Sequence, residues 1–196
     1  MSTPKSQRIG IWIIAIVMLV GTIGSFVVMI LANQNAQIDQ DAQNKLIAEY
    51  QKQADEEKKQ GVKLSKKYYP LFKKYQSAPG TFNMDKVGDK VIKRDLKVGT
   101  GAMIANETKY LAYYIGWNPR GKSFDSSFDG KKLKAPIDTS QLNLVPGWNE
   151  GVLGMKVGGI REITIPSDKA YGEQGSGDDI PPNTPLKFII MIIDTK

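Results

Sequence analysis

Five aromatic residues, Tyr114, Phe124, Trp148, Tyr171 and Phe188, fall in separate stretches of the chain. Three keep polar or glycine neighbours that a plain core does not need: Tyr114-Ile115-Gly116, Phe124-Asp125-Ser126-Ser127 and Ala170-Tyr171-Gly172. On residue type alone two readings stand, a single hydrophobic core and an apolar pocket with a few polar groups on its wall. The chain has neither histidine nor cysteine. That excludes Ser-His-Asp and Cys-His nucleophilic arrangements, ordinary zinc sites and disulfides. Whatever these residues do must be done without a histidine base, a thiol or a histidine-held metal, and no cofactor is expected.

The remaining motifs read as architecture. Gly99-Thr100-Gly101, Gly158-Gly159 and the glycines at 172, 175 and 177 lack the Gly-Lys-Ser/Thr ending of a phosphate loop, and are turns. Asp178 and Asp179 are neighbours in a loop without EF-hand spacing, so solvated acids are expected there.

Trp148 opens a short segment, VPGWNEGVLGMKVGG (145–159), in which Trp148, Val152 and Met155 recur at i, i+4 and i+7. The spacing predicts a two-turn helix over 148–155, although Gly151 and Gly154 each cost about 1 kcal/mol there relative to alanine. Around it lie short strand patterns at 109–117, 161–166 and 186–194; in the last, Leu186, Phe188, Ile190 and Ile192 share one face at period two. The fold class is therefore α+β, a mostly antiparallel sheet with one short helix against it.

The chain before this domain has a different character. Residues 9–32 run for 24 residues without a charge, long enough to cross a bilayer at about 20 residues and too long for the apolar stretch of a cleaved signal peptide. Lys5 and Arg8 precede the span, and the dozen residues after it hold only Asp39 and Asp41 as charges. The positive-inside rule then predicts a single-pass membrane protein with residues 1–8 cytoplasmic and everything after residue 32 extracytoplasmic. Residues 34–60 carry good helix formers with a thin stripe at Ile38, Ala42, Leu46 and Tyr50, and read as a solvated helical spacer ended by Gly61. A second amphipathic piece, 62–75, sets Tyr68, Tyr69, Phe72 and Tyr75 among lysines, and docking on the following domain is its expected role. Residues 77–83 read as a linker. The expected organisation is a transmembrane helix at 9–32, a helical spacer and linker at 33–82, and a folded domain at 83–196. Net charge is +7, yet residues 83–196 hold sixteen Lys and Arg against fourteen Asp and Glu. No basic patch marks the domain for nucleic acid.

Three stretches together resemble the FKBP-type peptidyl-prolyl isomerases in order and spacing: YIGWNPRGKSFDSS (114–127), LVPGWNEGVLGMKVGG (144–159) and PSDKAYGEQGSGDDIPPNTPLKF (166–188). The resemblance covers roughly residues 88–196. It implies an antiparallel half-barrel sheet wrapped around one short helix, with the Trp148 position as the floor of an apolar pocket. Carried over position by position, it implies substrate-binding roles for Tyr114, Phe124, Leu144, Val145, Trp148, Ile180 and Phe188, and polar, catalytic roles for Asp125 and Tyr171. It also implies, as partners, proline-containing unfolded or partly folded segments, and macrolides. Two departures stand out. The rim position commonly held by phenylalanine falls near Ala135, and the loop tip 174–179 is glutamine followed by glycine, serine and aspartate, with no aromatic residue. Macrolide binding is expected to be weakened by this altered rim. Peptidyl-prolyl isomerisation needs no proton transfer or covalent step, which suits a chain without histidine or cysteine; a catalytically weak, membrane-tethered chaperone or proline-segment binder is the alternative.

Overall fold

The computed structural model describes residues 40–78 and 80–196. The expected membrane span at 9–32 lies outside the described residues; among those described, no helix is long and apolar enough to cross a membrane. The chain divides into two compact units, Met1–Glu56 and Glu57–Lys196. Of the first, the described part is helix, and Ile47 and Tyr50 stand exposed on it.

Helix α1 (Gln40–Phe72) runs straight through Gly61, which was expected to end it. Gly61 costs about 1 kcal/mol in a helix interior, but the segment after it carries an apolar stripe that docks. The helix stops where Pro70 removes a backbone donor in the last turn, and a short 3-10 turn follows at Lys73–Tyr75.

The strands are β1 (Ile92–Lys97), β2 (Tyr110–Trp117), β3 (Ser123–Ser126), β4 (Phe128–Asp129), β5 (Lys132–Leu133), β6 (Ile137–Asp138), β7 (Ile160–Ile165) and β8 (Leu186–Thr195). The main sheet has the order β1-β7-β8-β2-β3, every pair antiparallel, with β6 adding to β2. Helix α2 (Pro146–Val152) lies against β7. It begins two residues before the expected start and ends three before the expected end. Pro146 takes the first-turn position, where its missing N–H costs nothing. At the far end Gly154 adopts φ +78°, a left-handed turn that glycine enters without penalty. Gly154 has nothing near its absent Cβ, so it serves chain direction rather than close approach. Gly151 is different: a Cβ there would sit 2.7 Å from Ile163 Cδ1, so this helix can approach β7 only with glycine at that position.

Arg161 on β7 secures this C-terminal end of α2. Its guanidinium donates to Asp95 on β1 at 2.7 and 3.1 Å and to the Gly151 and Leu153 carbonyls at 3.0 Å each. These charge-assisted bonds satisfy carbonyls that a helix C-terminus leaves orphaned. The guanidinium also holds the Asp95 carboxyl below its ordinary pKa.

The sheet is buried on both faces. One face holds Ile163, Ile165, Leu186, Phe188, Ile190 and Ile192 against Trp148, Val152 and Met155. The other holds Tyr113, Ile115, Trp117, Ile189, Met191 and Ile193, covered by Phe72 and Tyr75 with Leu64, Tyr68 and Tyr69 packed alongside. The docking expected of 62–75 is thus realised as a second hydrophobic core. Phe72 stacks on Phe128 at 5.3 Å and 8°, and the buried Ser65 Oγ accepts the Leu133 N–H at 2.8 Å. The expected linker docks as well. Gly80 presses against the Trp117 indole, where a Cβ would meet ring carbon at 2.2 Å, and Phe82 N–H donates to the Pro119 carbonyl at 3.3 Å. The packed unit therefore reaches back across the boundary expected at residue 83.

Candidate active site

Strand β2 alternates its side chains, so Tyr110, Ala112 and Tyr114 point to the α2 side while Tyr113, Ile115 and Trp117 point to α1. Trp148, on the first turn of α2, is 3% exposed. Its ring meets Phe188 at 5.0 Å and 75°, and Tyr114 at 5.4 Å and 84°. Phe124 meets Phe188 edge-on at 5.5 Å and 90°. Such perpendicular pairs set the positive edge of one ring on the negative face of the next, and each contributes roughly 0.5–1.5 kcal/mol beyond its buried area. Gly116 makes the cluster fit. A Cβ there would stand 2.6 Å from Phe188 and 2.8 Å from Phe124, so the glycine two residues beyond Tyr114 is the space that both rings occupy.

The polar groups sit at the edge of this floor. Asp125 on β3 is paired with Gly116 across the strands and accepts a hydrogen bond from the Tyr114 hydroxyl. Burial first, then the Asp125 charge and hydrogen bond, hold the Tyr114 phenol far above its ordinary value. Tyr114 is therefore a fixed, protonated donor. Ser127 Oγ accepts the Tyr114 N–H at 2.9 Å and the Ser127 N–H donates to the Tyr114 carbonyl at 2.8 Å. The Phe-Asp-Ser-Ser motif thus supplies one ring, one carboxylate and one backbone clamp.

The structure brings Tyr114, Trp148 and Phe188 into mutual ring contact and adds Phe124 through Phe188, with Asp125 bonded to Tyr114. Leu144 and Val145 pack half-buried on the same core, and Ile180, 4% exposed, belongs to it. Tyr171 stays 40% exposed and, among the described residues, makes no ring contact with this floor. Ala135 is exposed, and the loop tip presents Gly177 at φ +59° among small polar residues.

Two site-supporting residues escaped sequence reasoning. Trp148 Nε1 donates to the buried Tyr110 hydroxyl at 2.9 Å, which fixes the orientation of the floor, and burial pushes the Tyr110 phenol up to about 12. The signal was present, since Tyr110 lies four residues before Tyr114 and hence on its face of a strand. Asn118, 5% exposed, accepts from the Arg120 and Lys122 N–H groups at 3.1 Å and donates to the Asp179 carbonyl at 2.9 Å. It ties the β2–β3 turn to the loop that delivers Ile180, and Lys122 adds an ion pair to Asp179. No local pattern announces that link.

The arrangement is an aromatic-floored apolar surface with one carboxylate-held phenol. Among the described residues no cluster of carboxylates is placed to hold a metal ion. Comparison with known proteins gives the same picture. Residues 96–193 match the family model of the FKBP-type peptidyl-prolyl cis-trans isomerases. An FK506-binding protein of Neisseria meningitidis is 38% identical over 104 residues, 53% of this chain and 94% of that one. A probable FK506-binding protein of Corynebacterium glutamicum is 42% identical over 101 residues, 50% of this chain and 81% of that one. FK506-binding protein 4 of Rhizopus delemar is 36% identical over 111 residues, 57% of this chain but only 28% of its own length. The chain belongs to the FKBP-type peptidyl-prolyl cis-trans isomerase family.

Proposed function

We propose that this chain isomerises Xaa-Pro bonds of extracytoplasmic proteins and so assists their folding, held to the membrane by residues 9–32. The observation that carries the isomerase reading is the perpendicular aromatic floor of Trp148, Phe188, Tyr114 and Phe124 beside the Tyr114–Asp125 bond.

An Xaa-Pro amide crosses between cis and trans over about 20 kcal/mol because the twisted state loses amide resonance. The twisted carbonyl is less polar than the planar one, so an apolar surface favours it relative to water. Burying the three proline methylenes contributes about 2–3 kcal/mol of binding, but binding that is equal in ground and transition states leaves the chemical step unchanged. An acceleration of about 10⁵ needs roughly 7 kcal/mol of preferential stabilisation. Desolvation over the aromatic floor and hydrogen bonding from Tyr171 are the sources assigned here. Asp125 fixes Tyr114 and shapes the wall.

Exchange of an Xaa-Pro peptide, measured by NMR with the full chain in detergent, tests the reading. Asp125→Ala should lower turnover about tenfold or more while unfolding stays within about 1 kcal/mol of the parent, as for loss of an exposed acceptor. Trp148→Leu should lower binding and turnover together and cost about 1–3 kcal/mol for imperfectly refilled volume. A full-rate Asp125→Ala protein would remove that residue from the site. A parent rate equal to buffer would leave the weak binding module, which the exposed Ala135 and the small-residue loop tip favour. The same rim predicts macrolide binding weaker than a phenylalanine-rimmed pocket gives.

The topology rests on Lys5 and Arg8 before an uncharged run. Protease added to spheroplasts should cut the domain from the membrane; a soluble protein starting near residue 33 would mean a cleaved leader instead.

A further inference from the structure

Between residues 104–110, the segment 142–144 and α2 lies an open cleft of about 690 Å³, within the range of about 300–1,000 Å³ usual for ligand sites. The Ile104–Tyr110 turn forms one wall, and the outward side of α2 forms the other. Three carboxamides line it, Asn106, Asn143 and Asn149, all exposed. Among the described residues, none of the three is bonded through its side chain to another part of the chain. Each offers two N–H donors and a carbonyl acceptor, the complement of a peptide backbone's own groups. Two exposed leucines, Leu142 at 47% and Leu153 at 36%, stand on the lining between them. The charges are balanced: Glu107 and Lys109 face the cleft together, and Glu150 is already paired with Lys169 at 2.9 Å. The lining thus suits neither a phosphate nor a polyanion. The lip is a turn closed by Thr108, whose N–H donates to the Ala105 carbonyl at 3.3 Å and whose Oγ1 accepts the Ala105 N–H at 3.1 Å.

The cleft adjoins the isomerase site through two residues. Leu144 lines the cleft and packs on the core that contains Trp148 and Phe188, and Tyr110, whose hydroxyl holds the Trp148 indole, forms part of the cleft wall.

We propose that this cleft is a polypeptide subsite that takes the stretch of substrate flanking the proline, its backbone met by the asparagine carboxamides and an uncharged apolar side chain by Leu142 and Leu153. The inference rests on the isomerase reading and extends it to substrate choice. It makes the enzyme a better catalyst for long unfolded segments than for short peptides, and poorer for segments with clustered charges around the proline.

The test uses the full chain in detergent with two substrates: the tetrapeptide Ala-Leu-Pro-Phe, and the same sequence extended on each side by four uncharged residues including leucine. The extended substrate should show a kcat/KM about tenfold higher, the worth of roughly 1.4 kcal/mol from one buried leucine and its backbone bonds. The double variant Asn149→Ala/Leu153→Ser should remove that advantage and leave tetrapeptide turnover within about twofold of the parent. Equal preference for both substrates in the parent, or an advantage that survives in the variant, overturns the subsite. So does a variant that loses tetrapeptide turnover as well, because the cleft would then be a prop for the floor. A second measurement is independent of turnover: the extended peptide with alanine in place of proline should slow amide exchange at 104–110 and 149–153 in the parent and not in the variant. If the parent turns over neither substrate, the isomerase reading fails, and this protection alone decides the cleft.

Discussion

Phe72→Ala should destabilise the folded unit by about 3–5 kcal/mol, the usual cost of deleting a fully buried aromatic ring. Phe72 is 0% exposed and stacks on Phe128, and around it Leu64, Tyr68, Tyr69 and Tyr75 cover the sheet face carrying Tyr113, Trp117, Ile189 and Met191. Its neighbour Leu71 is 47% exposed, so Leu71→Ala should change stability by no more than about 0.5 kcal/mol. The pair separates loss of the docked face from a general effect on the helix. A chain starting at residue 83 carries the same loss to its limit. It would expose a contiguous apolar face and should associate or unfold, whereas a chain starting at residue 57 keeps the cover. Denaturant unfolding of the two alanine variants and sedimentation of the two fragments provide the readout. A Phe72→Ala protein as stable as its parent would mean that α1 does not dock in solution.

The second large effect is alkaline. Burial pushes the Tyr110 and Tyr113 phenols up to about 12 from an ordinary 10.0, Tyr68 adding to the shift at Tyr113, and Tyr114 is raised further. The folded chain therefore keeps these protons at a pH where the unfolded chain releases them. The stability they contribute is complete below pH 10 and is lost as pH climbs toward 12, at up to about 1.4 kcal/mol per pH unit for each phenol. Two phenols alone make the loss on the order of several kcal/mol across that window, so the denaturant midpoint should fall steeply above pH 10. Tyr113→Phe isolates the cause. Among the described residues the Tyr113 hydroxyl is buried without a hydrogen-bond partner, so its removal should leave stability at pH 7 unchanged or improved. The same substitution should flatten the alkaline fall. Equal losses in parent and variant would remove Tyr113 from the cause and leave the fall to Tyr110, Tyr114 and the lysines.

How much of this could be seen in the sequence depends on how local the signal is. The floor was legible because Tyr114, Phe124, Trp148 and Phe188 each sit in a motif whose neighbours serve the same site: Gly116 leaves room for two rings, and Asp125 receives a phenol. The sheet and its short helix followed from periods of two and about 3.6. The second core did not, although β8 is apolar at every position over 188–193 (FIIMII). A strand covered on both faces reads as a continuous run, and tracking only Leu186, Phe188, Ile190 and Ile192 hid the other face. Gly61 misled because propensity is a weak prior, overridden once the following turns bury tyrosines and Phe72. Tyr110 is legible only through its shared strand face with Tyr114, whereas Asn118 acts across 61 residues of sequence, a distance no local pattern encodes.

The clamp of Arg161 on the end of α2 governs the order in which the molecule is assembled. A seven-residue helix with two internal glycines cannot nucleate on its own in water. Its last carbonyls find their donor only after β7 is in place, and Arg161 is itself held by Asp95, 66 residues earlier in the chain. The β1–β7 ladder and the β2–β8 ladder must close these long loops first, a topology that folds slowly because loop entropy is lost before contacts compensate for it. Trp148 accordingly reaches its place late, after the chain's most distant segments have met. Its ring contacts should register in the unfolding rate more than in the folding rate.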